Sequence, residues 1–495
     1  MSEATIVKEA GAPRFVRELG VFDATMVVAG SMIGSGIFIV SADIARQVGS
    51  PFWLLAVWIA TGVLTIVAAL SYGELAAMYP DAGGQYVFLR EAFGPLPGFL
   101  YGWTLFFAIQ TGTIAAVAVA FAKFLGAVVP WISAAHRLVP VVLGGSLRPD
   151  GSVTGGLDLS LSTQRLVAIL VIAFLTFVNT RGIKTAKWVQ NLFTVTKIGA
   201  LALLVVIPFL GRANPRALEA NFSSGRFFGQ APLDLGFLMI FGAAMVGSLF
   251  SADAWNNITF AGEEVKDPRR TLPLSLALGT GIVILLYCLA NLAYLMLLPL
   301  HGSPEAADVL GRGIQAAAED RVGTAAVQVI FGSSGAIIMA LFVMISTFGC
   351  ENGLILAGPR LYYAMARDGL FFRGAGLLNR SAVPARGLVL QGIWAALLTL
   401  SGTYGNLLDY IIFAALLFYA LTIAAIFALR RARPEIPRPY KAIGYPVVPA
   451  FYVLAASVIM IDLLIKKPLY TWPGLLIVVA GIPAYYAWRR RQRAA

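Results

Sequence analysis

The chain alternates between long apolar segments and short polar connections from one end to the other. An apolar run of about 20 residues is long enough to cross the hydrocarbon core of a bilayer as an α-helix. The pattern predicts helices at 22–48, 51–79, 96–129, 164–181, 186–210, 236–265, 271–299, 324–366, 386–402, 406–429, 447–466 and 472–488. It therefore predicts an all-α polytopic membrane protein with twelve transmembrane helices.

Two of these helices contain glycine and polar residues near their middles. The first is interrupted at 30–38, with the sequence GSMIGSGIF, and the second at 250–257, with the sequence FSADAWNN. Unwound backbone at membrane depth is tolerated only where it is buried in protein or lines a cavity. Two interrupted helices in corresponding positions indicate the substrate site of a secondary transporter. For the first segment alone, small-residue helix packing is the alternative.

The interrupted helices also divide the chain into units. Residues 22–210 hold a first unit of five helices, residues 236–429 a second, and residues 447–488 hold helices 11 and 12. Because each unit has an odd number of helices, the second must be inverted in the membrane relative to the first. The sequence therefore predicts an inverted repeat with two helices outside it.

Composition and charge agree with a membrane protein. Of the 495 residues, 59% are hydrophobic and 13% are charged, against about 25% charged in soluble proteins. Basic residues concentrate before helix 1 and after helices 4, 6, 8, 10 and 12. The positive-inside rule then predicts a multi-pass protein of the plasma (inner) membrane with both termini cytoplasmic. The net charge of +12 needs no nucleic-acid partner, and residues 1–20 show no cleavable signal peptide.

The reactive side chains argue against an enzyme. His136 and His301 fall in predicted outer loops, and Cys288 and Cys350 lie inside apolar helices. None of them has the spacing of a metal site or of a nucleophile with its base. We expect no cofactor, no bound metal and no disulfide framework.

Several segments resemble a known family. The segments are 30–38, 74–80, 83–86, 250–257, 263–270, 348–353 and 360–363. They are similar to the amino acid–polyamine–organocation superfamily, and the later ones resemble its L-type amino acid transporter branch, so the chain resembles a bacterial member. The resemblance covers roughly residues 15–490. It implies a LeuT-type fold, with a 5+5 inverted repeat plus two extra helices.

The resemblance also implies a function. It implies sodium-independent transport of small to medium neutral L-amino acids by alternating access, as an exchanger. Proton-coupled symport stays open, as do cationic amino acid or polyamine transport and, more remotely, a non-transporting nutrient sensor. Mammalian relatives attach an ancillary subunit through a cysteine after helix 3, and residues 130–163 contain none. We therefore expect a monomer or homodimer without a disulfide-linked subunit.

The first break offers a partner to both charges of an amino acid. If the helix stops near Ile33 and restarts near Ile37, the amides of Ser35, Gly36 and Ile37 form an anion site. The carbonyls of Met32 and Ile33 offer the opposite pole to an ammonium group. Glycine suits this position because the backbone takes conformations that a Cβ forbids and must touch the ligand.

The second break and helix 8 complete the predicted pocket. Carbonyls near Phe250 and Asp253 would bind the ammonium group, and Phe250 matches the family's aromatic gate. Asp253 stands where mammalian L-type relatives usually have glycine; we expect it to cap the half-helix, with proton sensing as the alternative. Ser346, Thr347 and Cys350 are expected to line the pocket.

Two intramembrane charges are expected to govern coupling. An ionisable residue at this depth is a functional hypothesis by default. By the resemblance, Lys197 would replace the sodium ion of sodium-coupled relatives, bonding a carbonyl near Gly30 and Ser346 or Thr347, and it could also carry a coupled proton. Glu351 could pair with Lys197, bind a cationic substrate side chain or face a water cavity. Gln110 and Thr111 are weaker site candidates, and Asp43, Glu74 and Glu264 are expected to be caps.

Overall fold

The computed structural model describes residues 14–147, 153–154, 157–223, 225–229, 234–400, 404–466 and 468–494. The expectation about a signal peptide rests largely on residues 1–13, which lie outside the described residues. The last residues of the ninth predicted helix, 401–402, also lie outside them.

Within the described residues the fold is almost entirely helical. The α-helices are α1 (Val21–Met32), α2 (Ser41–Val48), α3 (Pro51–Met78), α4 (Gln85–Phe93), α5 (Pro95–Thr104), α6 (Gln110–Val128), α7 (Thr163–Thr180), α8 (Ile183–Ile207), α9 (Pro215–Phe222), α10 (Leu235–Ser251), α11 (Pro268–Leu297), α12 (Val309–Arg312), α13 (Val322–Phe331), α14 (Ser334–Arg367), α15 (Ala385–Leu398), α16 (Tyr404–Ala432), α17 (Val447–Lys466) and α18 (Pro468–Ala494). Eight helical segments are long and apolar enough to cross a membrane, and α1, α10, α13 and α15 are shorter apolar helices. The predicted multi-pass helical class is confirmed, while the number of twelve crossings stays a prediction.

Short 3₁₀ and π segments and one small β region join these helices. The 3₁₀ segments are Gly36–Phe38, Trp255–Phe260, Gly262–Glu264, Ala318–Asp320 and Arg373–Gly376, and the π segments are Leu105–Ile109 and Pro208–Arg212. The strands are β1 (Arg137–Val139), β2 (Val142–Leu143), β3 (Ser146–Leu147), β4 (Val153–Thr154), β5 (Leu157–Asp158) and β6 (Leu161–Ser162). They pair antiparallel as β1–β6, β2–β5 and β3–β4, so the predicted outer loop at 130–163 contains a hairpin.

Local capping chemistry fixes several helix boundaries near their predicted positions. Gly49, with φ of 66°, ends α2. The Ser50 hydroxyl then accepts a hydrogen bond from the Trp53 amide at 3.4 Å and Pro51 occupies the first turn of α3. At the start of α10, an Asp234 oxygen accepts from the Phe237 amide at 2.8 Å. These residues satisfy or remove the donors that a helix start leaves unpaired, which is why they mark boundaries in the sequence.

One predicted helix is wrong. The span 324–366 is two helices, α13 and α14, because the chain turns at Gly332 with φ of 64°. Apolar residues flank the turn on both sides, so composition alone does not reveal it. The short helices α4, α9 and α12 likewise fall in predicted connections.

The interrupted helices lie in the centre of the bundle. The half-helix α1 packs against α11, α8 and α14, and it also contacts the 3₁₀ segment Trp255–Phe260 that follows α10. Around them, α3 packs along α11 and α6 packs along α14. Both breaks are therefore enclosed by protein, as unwound backbone in a membrane requires.

Candidate functional site

The first break begins where it was predicted and ends later. Helix α1 ends at Met32, a 3₁₀ turn spans Gly36–Phe38, and regular helix resumes at Ser41 rather than near Ile37. Among the described backbone hydrogen bonds, the amides of Gly36 and Ile37 donate to no carbonyl. The break therefore presents two adjacent donors to a ligand.

Side chains of three helices engage the carbonyls of residues 30–34. The last four carbonyls of a helix have no partner within it. Here the donors are Lys197 to Gly30 (2.5 Å) and Ile33 (2.6 Å), Cys350 to Ser31 (2.9 Å), Tyr287 to Met32 (3.1 Å), and Ser346 to Ile33 (3.1 Å) and Gly34 (2.9 Å). The end of α1 is thus tied to α8, α11 and α14 through its backbone.

These bonds change the expected role of two carbonyls. A carbonyl oxygen has two lone pairs. The carbonyl of Ile33 accepts from Lys197 and Ser346, so both of its lone pairs are engaged, while among the described residues the carbonyl of Met32 accepts from Tyr287 alone. Of the two carbonyls predicted to face an ammonium group, Met32 alone keeps free capacity in this conformation.

The second break is a turn that approaches the first. Helix α10 ends at Ser251, and Ala254 takes a left-handed conformation with φ of 64° before the next 3₁₀ segment. The Asp253 amide donates to the Phe250 carbonyl at 3.2 Å. The Tyr287 hydroxyl lies 3.1 Å from the carbonyl of Ser251 and 3.1 Å from that of Met32. One hydroxyl therefore links the two breaks.

Close approach, not backbone conformation, requires glycine in the first break. The φ angles of Gly30, Gly34 and Gly36 do not lie in the left-handed region, which corrects the expectation from the sequence. A Cβ on Gly36 would lie 2.1 Å from the Ser251 hydroxyl oxygen and 3.2 Å from the Ser251 Cα. The two broken segments can pass each other only because Gly36 has no side chain.

A small cavity separates the two breaks. Its lining residues are Ser31, Met32, Gly34, Ser35, Gly36, Thr113, Val117, Phe250, Ser251, Asp253, Ala254 and Cys350. Its volume is about 20 Å³, and a cavity needs roughly 10–15 Å³ to hold one water molecule. Six of the nine residues predicted to bind substrate line it, while Ile33, Ile37 and Ser346 do not. The site is closed in this conformation.

Comparison with known proteins decides the family. A model of the amino acid permease family matches residues 19–484. The chain belongs to this family. It is 28% identical to the b(0,+)-type amino acid transporter 1 of Homo sapiens over 481 residues, which are 95% of the chain and 87% of the relative. It is 28% identical to the large neutral amino acids transporter small subunit 2 of Mus musculus over 499 residues, 98% of the chain and 83% of the relative.

These similarities confirm two predictions. The resemblance to the L-type branch of the amino acid–polyamine–organocation superfamily is confirmed. The protein is a multi-pass amino acid transporter and not an enzyme.

Lys197 is a buried charge of the permease with three hydrogen bonds. Its side chain is 2% exposed. Besides Gly30 and Ile33, its ammonium donates to the carbonyl of Ser346 at 3.2 Å. All three ammonium protons thus have a carbonyl acceptor, two on α1 and one on α14. The expected neighbours near Gly30 and Ser346 are present, and Ile33 is an additional one.

Asp253 does not cap the second half-helix, which corrects the expectation from the sequence. No side-chain cap bond is formed at the start of the 3₁₀ segment Trp255–Phe260. Instead, Asp253 Oδ1 accepts a hydrogen bond from the Tyr419 hydroxyl of α16 at 2.5 Å. The carboxylate therefore ties the second break to α16 of the permease.

Glu351 is buried like Lys197 but differs from it in its hydrogen bonding. Its side chain is 0% exposed, and neither of its oxygens has a hydrogen-bond partner among the described residues. Because the donors of Lys197 all point to carbonyls, the two residues form no ion pair. Pairing with Lys197, one of the three alternatives for Glu351, is therefore excluded in this conformation.

The remaining candidates have structural partners. All three expected caps form ion pairs instead: Glu264 with Arg360 at 2.8 Å, Glu74 with Arg430 at 2.7 Å and Asp43 with Arg46 at 3.6 Å. Asp43 also accepts a hydrogen bond from Gln47 at 2.6 Å. The others donate as follows: Gln110 to the Leu354 carbonyl (2.7 Å), Thr111 to the Phe106 carbonyl (2.6 Å) and Thr347 to the Val343 carbonyl (2.8 Å). None of them lines the cavity between the breaks.

Three site residues of the permease have little signal in the sequence. Tyr287 reaches Met32 from a position 255 residues away along the chain. Thr113 and Val117 line the cavity from α6. A tyrosine, a threonine or a valine in an apolar helix is ordinary, so only their three-dimensional neighbours distinguish them. The sequence offered one hint of Thr113, which lies one helical turn from the weak candidate Gln110.

Proposed function

We propose that this permease transports small to medium neutral L-amino acids without sodium, chiefly by exchange. The observation that supports the proposal is the set of three carbonyls around Lys197. They belong to α1 and α14, the helices between which the resemblance places the cation of sodium-coupled relatives. An ammonium held there would repel a sodium ion at the same place. The name of the mouse relative, a large neutral amino acids transporter, agrees with a neutral substrate.

The substrate would bind across the two breaks. The amides of Gly36 and Ile37, with Ser35 beside them, would hold the carboxylate. The free lone pair of the Met32 carbonyl would accept from the ammonium group, whereas the Phe250 carbonyl already accepts from the amides of Ala252 and Asp253. The ring of Phe250 would close over the bound molecule.

Alternating access requires closures at both ends of the bundle. One end of the bundle, called the Arg360 end below, contains the ion pair between Arg360 and Glu264, whose side chains are each 1% exposed. The Arg46 end contains the pairs Arg46–Asp320 at 2.7 Å and Lys123–Glu319 at 3.3 Å, with side chains 36–59% exposed. Since the cavity between them is closed, we propose that the two ends separate in turn to admit and release substrate.

The membrane arrangement is part of the proposal. Residues 22–210 and 236–429 would form the inverted units, with helices 11 and 12 in 447–488 outside them. Both termini and the Arg360 end would face the cytoplasm, because the basic connections lie there. The membrane would be the plasma (inner) membrane.

We also propose that the permease, as a monomer or homodimer, works without a disulfide-linked partner. Its cysteines, Cys288 and Cys350, lie in α11 and α14 and not in the segment after α6. A disulfide cannot form there without a thiol. Non-reducing gels of the natively expressed protein should show no heterodimer, and a heavier band that reduction removes would contradict this.

Counterflow in liposomes tests the proposed function. Purified permease is reconstituted with unlabelled neutral amino acid inside, and uptake of labelled amino acid is compared in sodium and choline buffers. Equal uptake that depends on the internal amino acid is expected. A requirement for external sodium would overturn the proposal. Preference for lysine or a polyamine over neutral amino acids would favour the cationic alternative.

A further inference from the structure

A carboxyl group without a hydrogen bond to any described residue lies in the middle of α14. Glu351 is 0% exposed, and both of its oxygens lack a hydrogen bond among the described residues. Its neighbours Cys350, Leu354 and Ile355 belong to an apolar cluster of α6, α7, α14 and α15 that also includes Ile114. Among the described residues, no hydrogen-bond donor reaches the Glu351 carboxyl group.

The other ionisable groups at this depth have partners of their own. The Cys350 thiol, which interacts electrostatically with Lys197, Asp253 and Glu351, donates to the Ser31 carbonyl. Lys197 on α8 is bonded to three carbonyls, and Asp253 accepts from a tyrosine of α16. On the helices packed around the middle of α14, the remaining charged residues lie within two turns of a helix end: Asp23, Lys123, Arg165, Lys184, Lys187 and Arg386. None of these forms a salt bridge with Glu351.

We propose that Glu351 is the proton-binding residue of the transport cycle, and that it carries a proton in this closed conformation. An ionised carboxylate without a hydrogen bond or a counter-ion is among the most unfavourable groups to bury, whereas a neutral carboxyl group is tolerated. Lys197 is less suited to this role, because each of its ammonium protons already forms a hydrogen bond to a carbonyl. The inference rests on the proposed transport function and adds a coupled ion to it.

The position of Glu351 gives it access to water when the site opens. Cys350, the preceding residue on α14, lines the cavity between the breaks. Opening of that cavity would bring water to this level of α14, and Glu351 could then release its proton. Because the closed conformation binds one proton more than the open one, acid should favour closure. A proton taken up on the acidic side would be released on the other.

The test uses the whole permease in liposomes with a pH-sensitive dye inside. Accumulation of labelled neutral amino acid and internal acidification are measured with the external medium acidic or at equal pH. With one proton per amino acid, each pH unit of gradient should support roughly tenfold accumulation. Glu351→Gln and Glu351→Met should lose accumulation and acidification but keep counterflow at equal pH.

A matched control is available on α17. Asp462 is also largely buried, and both of its oxygens lack a hydrogen bond among the described residues, although Lys466 interacts with it electrostatically. Because it lies outside the inverted units, Asp462→Asn should leave the response to the gradient unchanged.

The outcomes separate this inference from the proposed function. The inference about Glu351 would be overturned if either variant kept gradient-driven accumulation. It would also be overturned if the pH gradient did not drive accumulation by the wild-type protein. If both variants fold but lose counterflow as well, Glu351 belongs to the substrate site and the inference is wrong. A wild-type protein with gradient-driven accumulation but no counterflow would overturn exchange and support the proton site.

Discussion

The two helix breaks of this permease are held in different ways. The first, at residues 30–34, is held through its backbone carbonyls by donors from α8, α11 and α14. The second, after Ser251, is held mainly through its side chains: Asp253 and Asn256 accept from Tyr419 of α16, Asn256 donates to Gln85 of α4, and the Ser251 carbonyl shares the Tyr287 hydroxyl. The first is thus fixed through its backbone, whereas the second is fixed mainly through two side chains. We therefore expect the first break to determine substrate binding and the second to determine closure.

Gly36→Val should have the largest effect on binding. Its Cβ would collide with Ser251, and its amide could no longer reach a carboxylate. Loss of that charge-assisted hydrogen bond alone is worth about 1.5–3 kcal/mol, roughly ten- to a hundredfold in affinity. Binding measured by scintillation proximity on folded protein should be abolished. Gly281→Val on α11, where a Cβ meets nothing within 4 Å, is the control. Normal binding by the Gly36 variant would make the first break a packing feature.

Lys197→Ala should have the second largest effect, and this effect should be on uptake. It removes the group that ties α8 to α1 and α14, and it leaves the buried Gly30 carbonyl unpaired at a cost of about 1–3 kcal/mol. Uptake in sodium-free liposomes should fall more than about tenfold, since 1.4 kcal/mol corresponds to a factor of ten. Lys184→Ala on the same helix, which breaks an ion pair whose lysine is 76% exposed, should change uptake little. Wild-type uptake by the Lys197 variant would remove its assigned role.

Phe250→Ala should separate binding from closure. Phe250 lines the cavity, whereas the expected donors to the carboxylate are the amides of Gly36 and Ile37. Binding should weaken moderately, by about 1–2 kcal/mol for the apolar area lost, while exchange should fail. Affinity and counterflow are measured on the same preparation. Equal losses in both would show that the second break also belongs to the binding determinant.

Tyr287→Phe should have the smallest effect. Its hydroxyl serves two carbonyls with one proton, so its loss should cost about 1 kcal/mol. Tyr294→Phe, which removes a longer bond of 3.3 Å to the Ile37 carbonyl, is the matched control. A lower thermal unfolding temperature and slower exchange than in the control are expected. Identical behaviour of the two variants would argue against Tyr287 as the link between the breaks.

Local signals in the sequence predicted much of this molecule. Apolar length marks most helices, and capping residues such as Asp234 mark their starts. Glycine and polar residues at membrane depth located both breaks, and the depth of Lys197 marked it as functional. The turn at Gly332 and the hairpin at 137–162 were not predicted, because short apolar strands and a glycine between apolar runs have no distinctive pattern.

The details of the site depended on contacts between distant parts of the chain. The sequence places Asp253 near a helix start, where capping is the usual role, but the proximity of Tyr419 on α16 gives it another partner. It likewise shows Lys197 and Glu351 as two opposite charges available for pairing. Only the packing of α14 reveals that one is fully bonded and the other has no partner.

The sequence by itself determined the class and the positions of the two breaks, because these depend on hydrophobic length and local backbone chemistry, and its similarity to known proteins determined the family. The tertiary structure decided which carbonyls remain free, why Gly36 must be glycine and which buried charge is without a partner. Such properties depend on hydrogen bonds and close contacts between residues up to 319 positions apart, as for Cys350 and Ser31. A directional bond requires its two atoms within about 3 Å, and only the packed helices bring them that close.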